Sequence, residues 1–292
     1  MIPTSENLRG AMLMAASMTA YTVNDAFLKL LGQDLPIFQV LFLRGVATIL
    51  CLFLLARAMG QLVWRLPAGG WRLSILRALS ETAAAFFFIS ALMRMELANL
   101  SAILQSLPLT VSLAGAIFLG EAVGWRRLVA ILIGLIGVLL IVQPGTDGFS
   151  LASLYALGAV VCVTSRDLIA RKMPAGVPSM MVSIIAAIGV MSLGLIGLSF
   201  DDWVPVTGRN WAYLAGATLF ITGGNIFSVM AMRVGEIGFV APFRYTSLMV
   251  ALILGVVVFD TFPDQLTLIG AAIVVATGLF TIWREMRVRP AD

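Results

Sequence analysis

The chain contains ten long apolar segments, and the last five repeat the pattern of the first five. Matching residues in the first two segments of each set are displaced by 142 positions: Thr22, Asp25 and Pro36 recur as Thr164, Asp167 and Pro178. From the third segment onward the displacement is 140: Trp71, Thr82, Phe87, Glu96 and Gly115 recur as Trp211, Thr222, Phe227, Glu236 and Gly255. Because five is odd, a membrane chain of this design enters its second copy from the opposite face. Inverted repeats of this kind are typical of secondary transporters, whose substrate site lies between the halves.

The composition indicates a membrane protein. Hydrophobic residues make up 60% of the 292 residues and charged residues only 12%, whereas soluble domains carry roughly 25% charged residues. We expect an all-α integral membrane protein with ten transmembrane helices in two inverted-topology five-helix repeats, residues 1–145 and 146–292. The expected surroundings are a lipid bilayer, and the dispersal of basic residues over short loops argues against a nucleic-acid partner.

Missing residue types limit the chemistry. Histidine is absent, which removes the commonest catalytic base and metal ligand. Cys51 and Cys162 lie in apolar segments without a spaced motif, so neither a disulfide nor a metal site is expected. No Walker A sequence is present, so ATP hydrolysis is not expected. These features favour a protein that is not an enzyme and uses no cofactor.

Each predicted helix has about the 20 residues needed to cross a hydrocarbon core. We place the helices near residues 8–31, 36–58, 71–93, 97–119, 125–142, 151–173, 178–200, 210–232, 238–259 and 264–284. Pro36 and Pro178 open the second and seventh, where the missing N–H costs no hydrogen bond. The turn-forming sequence at 143–148 joins the two halves.

Lysine and arginine are distributed unequally between the two ends of these helices. Three lie at one end: Lys29, Arg94 and Arg209. Thirteen lie at the other: Arg9, Arg57, Arg65, Arg72, Arg77, Arg126, Arg127, Arg171, Lys172, Arg233, Arg284, Arg287 and Arg289. Because basic loops stay in the cytoplasm, we expect the richer end, and with it both termini, to be cytoplasmic.

The remaining three bases and three acids fall inside the predicted helices: Asp25, Arg44, Glu81, Arg166, Asp167 and Arg244. An unpaired charge at mid-membrane costs roughly 2.5–3.5 kcal/mol on insertion scales, so these residues should face one another or water. Depth along the helices predicts an outer pair, Asp25 with Arg44, and an inner pair, Asp167 with Arg244, which could gate a path alternately. Glu81 has no base at its own depth and is therefore a candidate to meet a proton or a substrate cation.

Prolines interrupt two helices that are repeat mates, the fourth at Pro108 and the ninth at Pro242. A proline inside a helix frees a carbonyl group and bends the axis, and matched interruptions point to a transporter site. We expect hinges at both prolines and a central cavity between the halves. The predicted polar lining is Tyr21, Asn24, Glu81, Gln105, Arg166, Asn225, Arg244 and Tyr245, and the candidates for an aromatic wall are Phe86, Phe87, Phe88, Phe227 and Phe243.

Glycines without polar neighbours occur in helices 5 and 10, at Gly134, Gly137, Gly270 and Gly278. Small residues allow membrane helices to approach closely. We interpret this pattern as close helix packing and as a potential homodimer face formed by helices 5 and 10.

Several motifs resemble those of a known family. Helix 4 closes with Phe118-Leu119-Gly120-Glu121, and Trp125-Arg126-Arg127 and the glycine-rich helix 5 follow. The second half repeats this as Val258-Phe259-Asp260, then Gln265 through Gly270 and Gly278, with Asp260 where the family usually has glutamate. Together with the ten inverted spans, these motifs resemble the EamA branch of the drug/metabolite transporter superfamily over nearly the whole chain. The chain also looks similar to YddG-type amino-acid exporters, which implies a bacterial inner (plasma) membrane and efflux of aromatic and other neutral amino acids.

The leading hypothesis is a secondary exporter of small amphipathic metabolites, chiefly amino acids, that works by alternating access. A neutral set of buried charges can hold both ends of a zwitterion, and proton coupling and facilitated efflux both remain open. The alternative is an exporter of another small metabolite, a drug or a nucleotide sugar, although nucleotide sugars favour more basic residues than Arg166 and Arg244. A remote alternative is an intramembrane aspartyl protease with Asp25 and Asp167 as its dyad. The placement of these two acids in opposite halves of the membrane argues against it.

Overall fold

The structure, a computed structural model, describes residues 4–58, 60, 67, 69–120, 124–144, 150–174, 176–234 and 237–288. Every regular element in these residues is helical. The first half contains α1 (Thr4–Asp34), α2 (Ile37–Ala58), α3 (Gly70–Leu92), α4 (Leu97–Leu104), α5 (Leu107–Leu119) and α6 (Trp125–Val142). The second half contains α7 (Leu151–Arg171), α8 (Ser179–Gly197), α9 (Gly208–Val234), α10 (Ile237–Val240), a 3₁₀ turn (Ala241–Tyr245), α11 (Thr246–Phe259) and α12 (Gln265–Val288).

The predicted segments match the observed helices closely, and the all-α prediction is confirmed. Two predicted helices are interrupted: 97–119 divides into α4 and α5, and 238–259 divides into α10, the 3₁₀ turn and α11. For the other helices, the length of the apolar segment predicts where the helix begins and ends, because a segment that crosses a bilayer must be helical throughout. The predicted repeat boundary at 145/146 lies outside the described residues.

Seven helical segments of the described chain are long and apolar enough to cross a membrane, and Leu128–Val142 is a shorter apolar helix. α1 and α9 are not among the seven. Both carry polar residues that are buried inside the bundle, such as Ser17 and Asn24 on α1 and Asn210 on α9. Inward polar residues lower the hydropathy of a helix without exposing polar groups to lipid. The count of ten membrane spans stays a prediction.

The two halves interlock, since the main packing partners of their helices lie in the opposite half. α1 lies along α9 and, at the equivalent place in the repeat, α3 lies along α7. α2 packs against α8 and α6 against α12, and each of these pairs joins matching helices. The sequence repeat is therefore also an approximate two-fold symmetry of the packing. We call the end at which α1 begins and α12 ends the terminal end, and the opposite end the loop end.

Polar contacts between the halves close the loop end. Arg209 Nη2, at the start of α9, donates to Asp34 Oδ2, at the end of α1, over 2.7 Å. Gln39, fully buried near the start of α2, exchanges two hydrogen bonds of 2.6 and 3.0 Å with the backbone of Val204. These contacts tie α1 and α2 of one half to the α8–α9 connection of the other.

Asp264 adds another link at the loop end. Its Oδ1 accepts a hydrogen bond of 2.9 Å from the Thr267 N–H and thereby caps the start of α12. Its Oδ2 accepts a hydrogen bond from Gln143 Nε2, at the end of α6. The bonds from Thr267 and Gln143 lower the pKa of the Asp264 carboxyl. The link therefore stays charged at neutral pH.

Glycines bring α6 and α12 together inside the chain. A methyl group added to Gly270 would lie 2.5 Å from the carbonyl oxygen of Gly137, and one added to Gly137 would lie 2.9 Å from that of Gly270. Gly134 faces α12, and Gly278 faces the 3₁₀ turn. The glycines that suggested a homodimer through α6 and α12 therefore pack within one chain, and the dimer prediction loses its basis in them.

Replacement of Gly270 by alanine should destabilise the fold, because the obstacle to the new methyl group is backbone that cannot turn aside. Overpacking of this kind costs about 1–3 kcal/mol. Gly223→Ala on α9 is the matched control, because no heavy atom outside its own helix backbone lies within 4 Å of the added methyl group. We expect a lower unfolding temperature in detergent micelles for Gly270→Ala and no loss for Gly223→Ala. Equal unfolding temperatures would show that the α6–α12 contact is looser than described.

Candidate functional site

A cavity of about 390 Å³ lies between the two halves, from the middle of the bundle toward its terminal end. Small-molecule sites typically measure about 300–1,000 Å³. The polar lining consists of Tyr21, Arg44, Thr48, Arg77, Glu81, Arg166, Ser183, Asn225, Ser228 and Arg244. The apolar lining consists of Met18, Gly45, Leu52, Ala85, Ala186, Ala187, Val190 and Ile221. Helices of both repeats contribute to the walls.

The lining is symmetric in backbone position and asymmetric in chemistry. Residues related by the repeat face the cavity from both halves, and in four such pairs one member is polar and the other apolar. The pairs are Arg44 with Ala186, Thr48 with Val190, Glu81 with Ile221, and Asn225 with Ala85. A cavity built in this way presents both polar and apolar surface, which suits an amphipathic molecule.

Arg166, on α7, is the centre of a charge cluster that joins the halves. Its Nη1 donates to both carboxylate oxygens of Glu81 on α3, over 3.0 and 3.2 Å. Its Nε donates to Oδ1 of the adjacent Asp167 over 2.9 Å. Arg77, one turn before Glu81, places its Nη2 4.0 Å from the Glu81 carboxylate. The Arg166 and Glu81 side chains are 25% and 29% exposed, so the cluster borders the cavity.

The expectation that Glu81 lacks a base at its depth is wrong. The position of a residue along its helix gives the depth of its Cα, but a long arginine side chain reaches more than one turn beyond that atom. The sequence pattern predicts Arg77 at the end of its helix, yet Arg77 lies about two turns inside α3 and lines the cavity. Glu81 therefore meets Arg166 and Arg77 and is not a free acid.

The expected pair of Asp167 with Arg244 does not form either. Asp167 bonds to its neighbour Arg166, and Arg244 has no ion-pair partner within the described part of the chain. Asp25 and Arg44 lie close enough to interact electrostatically. The roles of these residues as gates stay predictions.

Tyr21 and Asn225 form one wall of the cavity together. A methyl group added to Gly224 on α9 would lie 2.8 Å from the Tyr21 ring, so this glycine makes room for the ring. The Tyr21 hydroxyl donates to Asn225 Oδ1 over 2.8 Å. Ser17, one turn earlier on α1, donates to the Gly224 carbonyl over 2.7 Å. The polar wall is thus held by direct contact between α1 and α9.

The two interrupted helices are hydrogen-bonded to each other. Gln105 Nε2, between α4 and α5, donates to Ser247 Oγ over 2.6 Å. Ser247 Oγ in turn donates to the Arg244 carbonyl oxygen over 3.1 Å. Pro108 lies in the first turn of α5, and Pro242 is the second residue of the 3₁₀ turn. Both prolines are close to the point at which their helix is interrupted. Movement at these prolines stays a prediction.

Three residues predicted to line the cavity lie elsewhere. Asn24, Gln105 and Tyr245 are all buried. Asn24 Nδ2 donates to Asp25 over 2.9 Å, and the Tyr245 hydroxyl is turned toward Gly278 on α12. A polar residue in an apolar segment can thus face either the cavity or a neighbouring helix. Composition alone does not distinguish these two positions.

Other lining residues were missed by sequence reasoning. Thr48, Ser183 and Ser228 carry no signal, because hydroxyl residues occur throughout membrane helices. The apolar wall is aliphatic, and Tyr21 is the single aromatic residue among the described lining residues. Phe86 and Phe87 pack against Tyr155 instead, and Phe88, Phe227 and Phe243 also lie outside the lining.

Arg166→Gln should destabilise the protein more than Glu81→Gln. The first change removes the cation that is hydrogen-bonded to both carboxylates, whereas the second leaves Arg166 bonded to Asp167. We expect a loss of about 1.5–3 kcal/mol in the free energy of unfolding for Arg166→Gln, the range for a hydrogen bond to a charged group. The double variant should lose less than the sum of the single variants, because the pair is coupled. Thermal unfolding of the purified proteins measures this, and strictly additive losses would contradict the pairing.

Comparisons with known proteins place this geometry in context. The chain is 26% identical over 281 residues to the S-adenosylmethionine uptake transporter of Rickettsia felis, which covers 93% of this chain and 91% of the relative. It is 32% identical over 191 residues to the riboflavin transporter of Vibrio cholerae, and this match covers 64% of this chain and 63% of the relative. It is 26% identical over 272 residues to the pseudopaline exporter CntI of Pseudomonas aeruginosa, and the match covers 91% of this chain and 93% of the relative. A solved crystal structure with 19% identity has a TM-score of 0.66 over 98% of this chain and 99% of its own, which shows the fold alone.

The model of the EamA-like transporter family matches residues 8–143 and 150–283, once in each half. The resemblance inferred from the sequence motifs is confirmed: this chain belongs to the EamA-like transporter family.

Proposed function

We propose that this chain is a secondary carrier that moves a small amphipathic metabolite, an amino acid or an amino-acid derivative, by alternating access. The observation that carries the proposal is the cavity, which lies between matching helices of two inverted repeats and presents both polar and apolar surface. Rocking of one half against the other would expose such a cavity to each side of the membrane in turn.

In this proposal the cavity faces the cytoplasm. The cavity extends toward the terminal end, which is the end rich in arginine and which we assign to the cytoplasm. At the opposite end the pair Asp34–Arg209 and the bonds between Gln39 and Val204 hold the halves together. These contacts must break before the cavity can open to the outer side.

Two considerations support the substrate class. The polar lining contains cations able to bind a carboxylate, and the repeat mate of one of them, Arg44, is the aliphatic lining residue Ala186. S-adenosylmethionine, which the Rickettsia relative takes up, is itself an amino-acid derivative. The aliphatic wall leaves no particular reason to favour aromatic over other neutral side chains. A carrier without an energy source works in either direction. Export across the bacterial inner membrane then follows when the substrate is more concentrated inside the cell than outside.

Counterflow into proteoliposomes tests the proposal directly. Purified protein is reconstituted with unlabelled leucine, phenylalanine or S-adenosylmethionine inside, and uptake of the same labelled compound is followed. We expect accumulation of at least one of these compounds above protein-free liposomes. Absence of counterflow for all three, with correctly inserted protein, would contradict the proposed substrate class.

Cross-linking of the loop end should stop transport. We expect the double variant Asp34→Cys/Arg209→Cys, treated with a cleavable bis-maleimide, to lose counterflow because α1 and α9 can no longer separate there. Reduction of the linker should restore it. Cys51→Ser and Cys162→Ser remove the native thiols from the background.

Each single cysteine variant, treated with the same reagent, is the control and should keep its flux. Unimpaired counterflow by the cross-linked double variant would mean that the loop end does not open during transport, and alternating access as described would be wrong.

A further inference from the structure

Among the residues that the structure describes, the charges that line or border the cavity do not balance. Arg77 and Arg166 face Glu81 and Asp167, two cations against two anions, within the cluster centred on Arg166. Arg44 lies within electrostatic range of Asp25. One lining cation then remains, Arg244.

Arg244 is exposed, lines the cavity and has no ion-pair partner among the described residues. A charge in a membrane-spanning segment is costly unless it meets water or an opposite charge. Among the described lining residues Glu81 is the single acid, and it is held by Arg166 and Arg77. Within the described part of the chain, Arg244 is therefore a lining cation with no acid against it, and it is open to an anion that enters the cavity.

The interruption of the ninth predicted helix favours the binding of an anion by Arg244. Arg244 lies in the 3₁₀ turn, and α11 begins two residues later at Thr246, so the positive end of the α11 dipole adds to the arginine charge. The turn is held from the other half of the chain, because Gln105 bonds to Ser247 and Ser247 bonds to the Arg244 carbonyl. Only the backbone of Arg244 is used in this way, and its guanidinium group stays available.

We propose that Arg244 binds a carboxylate of the transported molecule and that a substrate ammonium group is not required for binding. This rests on the proposed carrier function and specifies its substrate. A guanidinium group presents a planar fork of donors that matches a carboxylate in two hydrogen bonds. With the carboxylate on Arg244, the apolar part of the molecule lies toward the aliphatic wall of Ala186, Ala187, Val190 and Ile221. No lining acid is free to select an ammonium group.

Three probes with the same apolar tail separate the two charged groups. Leucine carries both, 4-methylpentanoate carries only the carboxylate, and 3-methylbutylamine carries only the ammonium group. Their binding to purified protein is measured by ligand-induced shifts of the unfolding temperature and by competition in counterflow. We expect 4-methylpentanoate and leucine to bind about tenfold or more tightly than 3-methylbutylamine, the range of one charge-assisted hydrogen bond.

Variants of Arg244 decide whether this residue makes the distinction. Arg244→Gln should reduce the preference for the acid over the amine to about one, and Arg244→Lys, which keeps the charge without the fork, should retain part of it. Arg126→Gln is the control, because Arg126 is exposed at the start of α6, away from the cavity, and should leave the preference unchanged. Gel filtration of each variant verifies folding.

The outcomes separate the inference from the function on which it rests. Equal binding of acid and amine by the unaltered protein, or an undiminished preference in Arg244→Gln, would overturn the role of Arg244 while the carrier function stands. The same conclusion holds if S-adenosylmethionine or another compound shows counterflow and Arg244→Gln moves it equally well. Absence of both binding and counterflow for every compound would contradict the carrier function, and with it the inference.

Discussion

The contact between Arg166 and the two carboxylates around it is the interaction on which the cavity depends. It joins α7 of one half to α3 of the other, at a place where an unpaired charge costs several kcal/mol in a membrane. Removal of the cation alone would leave two acids facing one another, so the cluster is stable only as a unit. Its neutral balance with Arg77 also means that Glu81 and Asp167 have no charge to spare for a substrate. The electrostatic character of the cavity is then set by what lies outside this cluster, above all by Arg244.

The repeat explains the shape of the site and not its selectivity. Matching backbone positions of α2 and α8, and of α3 and α9, reach the cavity because the two halves pack about a common axis. Gene duplication of a five-helix unit would make both walls alike, but Arg44 faces the cavity from a position whose mate is Ala186, and Glu81 from one whose mate is Ile221. Both repeats contribute charged and apolar residues to the lining, but at these matched positions a charged residue in one half faces an aliphatic residue in the other. A symmetric cavity could not hold a molecule with a polar end and an apolar end in one orientation.

The helices could be predicted from the sequence, whereas the pairing of charges could not. A bilayer demands about 20 apolar residues per crossing and internal hydrogen bonds throughout, so length and hydropathy place α6 or α12 to within a few residues. Pairing depends on which way each side chain turns about its helix axis and how far it reaches, and depth alone contains neither quantity. For this reason Glu81 was expected to stand alone although Arg166 reaches it, and Tyr245 was expected in the cavity although it turns toward Gly278. The glycines of α6 and α12 could be recognised as packing residues, but only the structure shows that they face each other within the chain.

The asymmetry extends to the two ends of the bundle and limits how the carrier can close. Displacement by the repeat length maps Asp34 and Arg209 onto Gly176 and Gly69, which cannot form an ion pair. A state closed at the terminal end must therefore be held by other contacts. The ion pair at the loop end is itself weak, because Arg209 is 65% exposed and solvent screens a pair of that kind. The bonds of the buried Gln39 add about 1 kcal/mol each. A bias of this size can be offset by a bound ligand only if the ligand binds more tightly to the state in which the loop end is open.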